Sequence, residues 1–169
     1  MSMTPRLGYL IGLVVCAGLL AFAFYLQYVE YQDPCPLCLL QRAAYVALAV
    51  IFLAGAIHGP AARGACVYSG LAVALCALGA TVAGRQVWLQ HLPRDQVPAC
   101  GPGLDYLLDQ FPLGEALKRV FAGSGECAES GWSFLGLTIA GWSLAWFVLL
   151  GSCALAIAVI AVKRAGARR

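Results

Sequence analysis

Four cysteines carry the chemistry that this chain can do: Cys35, Cys38, Cys100 and Cys127. Cys35 and Cys38 form a CxxC pair, and Arg42 follows Cys38 by four residues. A bridge between residues three apart closes a tiny ring and stabilises little by chain entropy. Such a ring suits a working redox pair better than a structural staple. A thiolate is the reactive form, and a helix N-terminus or a nearby cation makes it easier to form. If a helix begins near Cys35 or Leu37, Cys38 falls in its first turn, where unpaired N–H groups and the helix dipole favour negative charge. Arg42, at i+4, then shares the Cys38 face and is expected to stabilise that thiolate. Four cysteines allow three pairings. Adjacency in the chain favours 35–38 and 100–127, with an interloop bridge as the exchange product.

Those residues must be held by membrane helices. Of the 169 residues, 62% are hydrophobic and only 11% charged, against about a quarter charged in soluble domains. A helix crosses a bilayer core with about 20 apolar residues. Four segments qualify, at about 7–28, 39–57, 65–84 and 140–162. The fold expected is all-α, a polytopic four-helix membrane bundle in a single domain, with a long outer loop carrying a short amphipathic helix. Arg6, Arg63, Lys163, Arg164, Arg168 and Arg169 flank the spans on one side, whereas all eight acids fall in the two loops opposite. Excess Lys and Arg marks the cytoplasmic face. Residues 1–6, 58–64 and 163–169 are thus expected in the cytoplasm, and the loops at about 29–38 and 90–133 outside, with all four redox cysteines. Ala21-Phe22-Ala23 resembles a signal-peptidase site, but the apolar run continues through Tyr25 and Leu26, and an uncleaved first helix is expected. Cys16, Cys66, Cys76 and Cys153 lie within or at the ends of spans and read as small, inert hydrophobes.

Arg42 sits about one turn below the membrane surface. Beyond the thiolate, it is placed to stabilise charge developing on an electron acceptor that arrives from lipid. Such an acceptor must be apolar, and a quinone, ubiquinone or menaquinone, fits. In the long loop, Pro93, Pro98 and Pro102 keep the surroundings of Cys100 extended and accessible to a partner protein. Leu113, Ala116, Leu117, Val120 and Phe121 recur at helical spacing opposite Glu115, Lys118 and Arg119, which predicts an amphipathic helix on the membrane surface. Trp132, Phe134 and Trp142 are expected to set the depth of the fourth span, and Arg85 to snorkel at the end of the third.

The stretches 35-CPLCLLQR-42 and 125-GECAESGWSFLGL-137, with four spans and one long second outer loop, resemble the DsbB family of quinone-dependent disulfide-generating proteins. The resemblance covers nearly the whole chain. It implies a bacterial inner-membrane thiol oxidase that reoxidises a DsbA-like periplasmic dithiol carrier and passes the electrons to membrane quinone. It also implies a quinone-site role for His91, by its place before the Pro-rich loop; Gln96 is left without a role. A different class remains open, a metal-binding or transport protein using the four outer thiolates. Zinc sites of that kind usually show two CxxC pairs, whereas here Cys100 and Cys127 lie 27 residues apart. A bundle with purely structural disulfides is a third reading. The vitamin-K-epoxide-reductase-like bundles fit less well, because here the CxxC opens the second helix and LLQR follows it.

Overall fold

The computed structural model describes residues 5–93, 95–98, 104–129 and 131–166. Four long helices, each apolar and long enough to cross a membrane, make up the bundle: α1 (Pro5–Tyr28), α2 (Pro36–His58), α3 (Ala62–Gln90) and α7 (Ile139–Gly166). The chain is a multi-pass membrane protein of the all-α class. Between α3 and α7 lie α4 (Leu104–Gln110), α5 (Leu113–Ala122), α6 (Gly125–Ala128) and a two-stranded hairpin, β1 (Ser133–Phe134) and β2 (Leu137–Thr138).

α2 begins where its sequence allows a helix to begin. Cys35, in extended backbone, is the N-cap, and Pro36 takes the first helical position, where a missing N–H costs nothing. The helix ends at Gly59, whose φ of 55° closes an N–H onto the Gly55 carbonyl. Arg6 then donates to the last free carbonyls, Ala56 and Ile57, at 3.1 Å each. α3 continues past Gly84 to Gln90, because its last polar side chains find partners at the bundle rim. Arg85 donates to α5, and Gln90 accepts from Thr138 at 2.7 Å.

α3 packs most extensively on α7 and α1 on α2, with α2 against α3 joining the two pairs. Tyr9, Leu48, Phe52 and Phe147 are buried at the centre. The Phe147 ring stacks on Tyr45 at 4.3 Å, and the Tyr45 hydroxyl donates to the Ser143 carbonyl at 3.1 Å. Val14, Val50, Leu78 and Leu155 stay exposed on the outer surface, as lipid-facing positions must. α1 touches α7 far less than α3 does, so the α1–α7 seam is the looser side of the bundle.

A second apolar cluster caps the cysteine-bearing end. Leu37 and Leu89, from the ends of α2 and α3, pack with Leu107 of α4, Ala116 and Val120 of α5, and Cys127 of α6. The amphipathic helix is therefore α5, and its innermost residues seal the bundle rather than face lipid. Leu113, Leu117 and Phe121 remain exposed along its flank. Arg85, expected to snorkel, spends its donors on protein. Its guanidinium donates to the carbonyls of Phe121 and Ala122 at 3.1 and 2.9 Å and lies 4.2 Å from the centre of the Trp88 ring, clamping the end of α5 to α3.

Candidate functional site

The N-terminus of α2 gathers three sulfurs. Cys38, third residue of the helix, has its Sγ 2.9 Å from that of Cys35. The loop after α5 folds back over α2, so that buried Cys127 packs in one cluster with Cys35. The helix start explains why sulfur gathers there. Pro36 offers no N–H, and that of Cys38 points to the Cys35 Sγ at 3.4 Å. A donor that a helix leaves unpaired is thus spent on sulfur. The Cys35 thiol donating to Cys127 holds Cys127 below the usual thiol range, with the Leu37 N–H and Ser124 adding to the effect. The same contact pushes Cys35 far up, since it keeps the proton. The described cysteines are free thiols. Cys100 lies outside the described residues.

Two residues that the sequence reading passed over complete the sulfur site. Gln86 of α3 and Gln41 of α2 are buried, at 4% and 5% exposure. Gln41 donates to the Gln86 Oε1 at 2.7 Å, and Gln86 Nε2 lies 3.2 Å from the Cys38 Sγ and 3.4 Å from that of Cys35.

On the other side of Cys38 lies a cavity of about 330 Å³ between α1, α2, α7 and the hairpin. Cys38, Gln41 and Arg42 line it from α2, Ala23 and Leu26 from α1. Trp132, Phe134, Trp142 and Trp146 form its aromatic wall. Trp132 and Phe134 stack at 5.9 Å, and the indole N–H of Trp142 donates to the Phe134 carbonyl at 3.0 Å. These aromatics were expected to set helix depth; they enclose the space beside the reactive sulfur. The hairpin aims them, through a two-residue turn with Leu135 and Gly136 both at positive φ.

Arg42 shares this cavity with Cys38, but its hydrogen bonds run elsewhere. The guanidinium donates to Gln27 and, at 2.9 Å, to the Ala23 carbonyl, and lies 5.4 Å from the centre of the Phe24 ring. Arg42, expected to stabilise the Cys38 thiolate, is anchored to α1 by these donors, and the hydrogen bond beside that sulfur comes from the amide of Gln86. His91 caps the end of α3 with its ring N–H donating to the Val87 carbonyl at 2.7 Å, exposed and outside the cavity lining. Among the described residues no hydrogen bond joins it to Cys38 or Arg42. Among the described residues no group of three His, Cys, Asp or Glu side chains is arranged to hold a metal ion.

Reactive sulfurs at the mouth of a membrane bundle define a multi-pass thiol–disulfide oxidoreductase. The family model for disulfide bond formation protein DsbB matches residues 5–157. A disulfide bond formation protein B of Nitrosococcus oceani is 52% identical over 151 residues, 89% of each chain. That of Hahella chejuensis is 51% identical, covering 86% of this chain and 88% of its own. That of Methylococcus capsulatus is 47% identical, covering 90% and 93%. The chain belongs to the DsbB family, and disulfide bond formation is the function that this membership supports.

Proposed function

We propose that this chain reoxidises a DsbA-like periplasmic dithiol carrier and delivers the electrons to membrane quinone, ubiquinone or menaquinone. It would do so in the bacterial inner membrane, with both termini cytoplasmic and the four redox cysteines periplasmic. The single observation that carries the reading is that Cys38 faces the other reactive sulfurs on one side and a cavity shared with Arg42 on the other.

The cavity fits the head of a quinone. Its size falls within the range of small-molecule pockets, its walls are aromatic and aliphatic, and a cation offers donors at one edge. When bound, quinone supplies the oxidising power by taking up two electrons and two protons as quinol. A carrier couple at about −120 mV makes its dithiol a weak reductant, so another protein disulfide has little tendency to accept its electrons. Transfer from DsbA through DsbB to quinone is the established way in which the bacterial periplasm is kept oxidising.

The chain's own steps are exchanges that conserve disulfides until the last. The carrier thiolate attacks Cys100 of a 100–127 bridge and expels Cys127 as thiolate. The second carrier thiol then closes the carrier disulfide and releases Cys100. Cys127 attacks Cys35 of the 35–38 bridge, and the electron pair of the broken bond goes to Cys38. Cys100 next attacks Cys127, remakes the 100–127 bridge and frees Cys35. The Cys35–Cys38 dithiol gives up two electrons and two protons across the cavity and closes. Arg42 holds a donor where negative charge develops, and the aromatic wall excludes water. Quinol formation by purified protein in lipid nanodiscs, given a reduced carrier, tests the scheme. Cys38→Ser should abolish it, and normal turnover in that variant would overthrow the assignment.

A further inference from the structure

A primary amide buried at the end of an apolar bundle costs free energy unless its hydrogen bonds are made. Gln86 and Gln41 sit there on facing helices, and each spends its polarity on the other or on sulfur. The amide of Gln86 offers both of its ends to Cys38. Nε2 stands 3.2 Å from the Cys38 sulfur and Oε1 3.6 Å, a geometry in which Oε1 accepts from a thiol and Nε2 donates to a thiolate. Gln41, donating to Oε1 at 2.7 Å, keeps Nε2 turned toward both cysteines of the pair. Gln41 itself touches the cavity, so the amide pair spans the distance from α3 to the rim of that space.

We infer that Gln86 is a catalytic residue that donates an amide N–H to Cys38 as it leaves the 35–38 bridge, and that Gln41 positions it. This rests on the proposed role of Cys38 as the expelled thiolate. As Cys127 bonds to Cys35 and the Cys35–Cys38 bond breaks, the electron pair goes to the Cys38 Sγ, with no oxidant consumed. Exchange is faster when the leaving thiol is more acidic. A hydrogen bond given to the charged form has that effect, and the donor is already in place before the bond breaks. The amide has advantages over a cation here. It does not titrate, and its dipole serves the thiolate without adding a net charge that must be desolvated at the membrane edge. Sulfur and cavity are thereby served by different side chains, Gln86 for the first and Arg42 for the second.

Among the described residues, the titratable groups around the Cys38 sulfur are Cys35 and Cys127, with Arg42, Asp33 and Tyr45 lining the adjoining cavity. The test is the pH dependence of alkylation at Cys38 by iodoacetamide, read site by site by mass spectrometry on the reduced full-length protein. Glutathione added to the same mixture serves as the reference thiol. Gln86→Met and the nearly isosteric Gln86→Glu should each move the Cys38 midpoint up by about one pH unit, the size expected for one lost charge-assisted bond. Gln41→Leu should move it in the same direction. The double variant Gln41→Leu/Gln86→Met should go no further than Gln86→Met, because Gln41 acts only through its neighbour. A midpoint unmoved in both Gln86 variants overturns the inference, and an additive double variant overturns the part given to Gln41. A native chain that forms no quinol while these midpoints shift sinks the quinone reading and leaves this one standing. Normal quinol formation with unmoved midpoints does the reverse.

Discussion

Replacing Arg42 with methionine separates the cavity from the sulfurs. Methionine keeps an unbranched apolar stem and removes only the guanidinium. The Ala23 carbonyl lies within α1 and keeps its helical partner, so the loss on the protein side falls on the side chain of half-buried Gln27. The cost to the fold should stay near about 1 kcal/mol. The cost to function should be larger and confined to one substrate. A hydrogen bond from a charged donor is worth about 1.5–3 kcal/mol. If the guanidinium serves charge developing on quinone in the cavity, its loss should raise the KM for quinone about 10- to 150-fold.

Steady-state quinol formation in nanodiscs, followed by absorbance while a short-chain quinone is varied, measures that KM. Oxidation of the carrier in a single turnover without added quinone measures the thiol exchanges alone. Those exchanges should run at the native rate, because among the described residues no hydrogen bond of Arg42 reaches a sulfur. Arg42→Lys should recover part of the affinity, since an ammonium restores the charge but not the planar fork. An unchanged KM with slowed carrier oxidation would refute the reasoning and return Arg42 to the Cys38 thiolate.

Three further outcomes follow from the packing and the electrostatics. With Cys127 pushed down to about 6 by the Cys35 thiol, its thiolate persists well below the ordinary thiol value of about 8.5. Alkylation of Cys127 in the reduced protein should therefore fade only as pH falls through about 6, and Cys35→Ala, which removes the main donor, should move that midpoint upward. A Cβ at Gly79 would run into the ring of Phe147, which is fully buried and held from behind by Tyr45 at 4.3 Å. Gly79→Ala should cost about 1–3 kcal/mol in reversible unfolding by dodecyl sulfate, and Phe147→Leu in the same chain should recover part of it; native stability of Gly79→Ala would show that the α3–α7 contact is looser than described. Arg85→Met removes the donors at the end of α5, and amide hydrogen exchange across residues 113–128 should quicken roughly fivefold, the equivalent of about 1 kcal/mol. Exchange at the native rate there would mean that apolar packing alone holds α5 down.

The spans and the close pair Cys35 and Cys38 were legible in the chain because each leaves a local signature, an apolar run of membrane length or a spacing of three. The sorting of polar side chains around Cys38 was not, and helix geometry says why. At 3.6 residues per turn, Gln41 lies about 60° to one side of Cys38 and Arg42 about 40° to the other. Both spacings put a side chain next to the sulfur, and the formal charge made Arg42 the natural choice. Which neighbour meets the sulfur depends on what each side faces. Arg42 faces α1, where Gln27 and the Ala23 carbonyl take its donors; Gln41 faces α3, where Gln86 waits. Nothing local marks Gln86, a polar residue beside an arginine at the end of a span, and only the α2–α3 packing turns it toward sulfur.

The same division accounts for the aromatics and for α5. Trp132, Phe134 and Trp142 have the composition of interfacial anchors, and a sequence places such residues at the membrane surface without saying what they surround. The tight turn at Leu135-Gly136 folds two of them back over α7, against the side of Cys38 that Gln86 does not occupy. The periodicity of α5 marked an apolar stripe but not its cover. Arg85 and the Leu37–Leu89 cluster draw Ala116 and Val120 onto the bundle, and that seating carries the segment behind α5 far enough to set Cys127 against Cys35. A clamp some 40 residues before Cys127 in the chain thus bears on the contact between the two sulfurs, which is why loosening α5 should be felt at Cys127 before it is felt at the cavity.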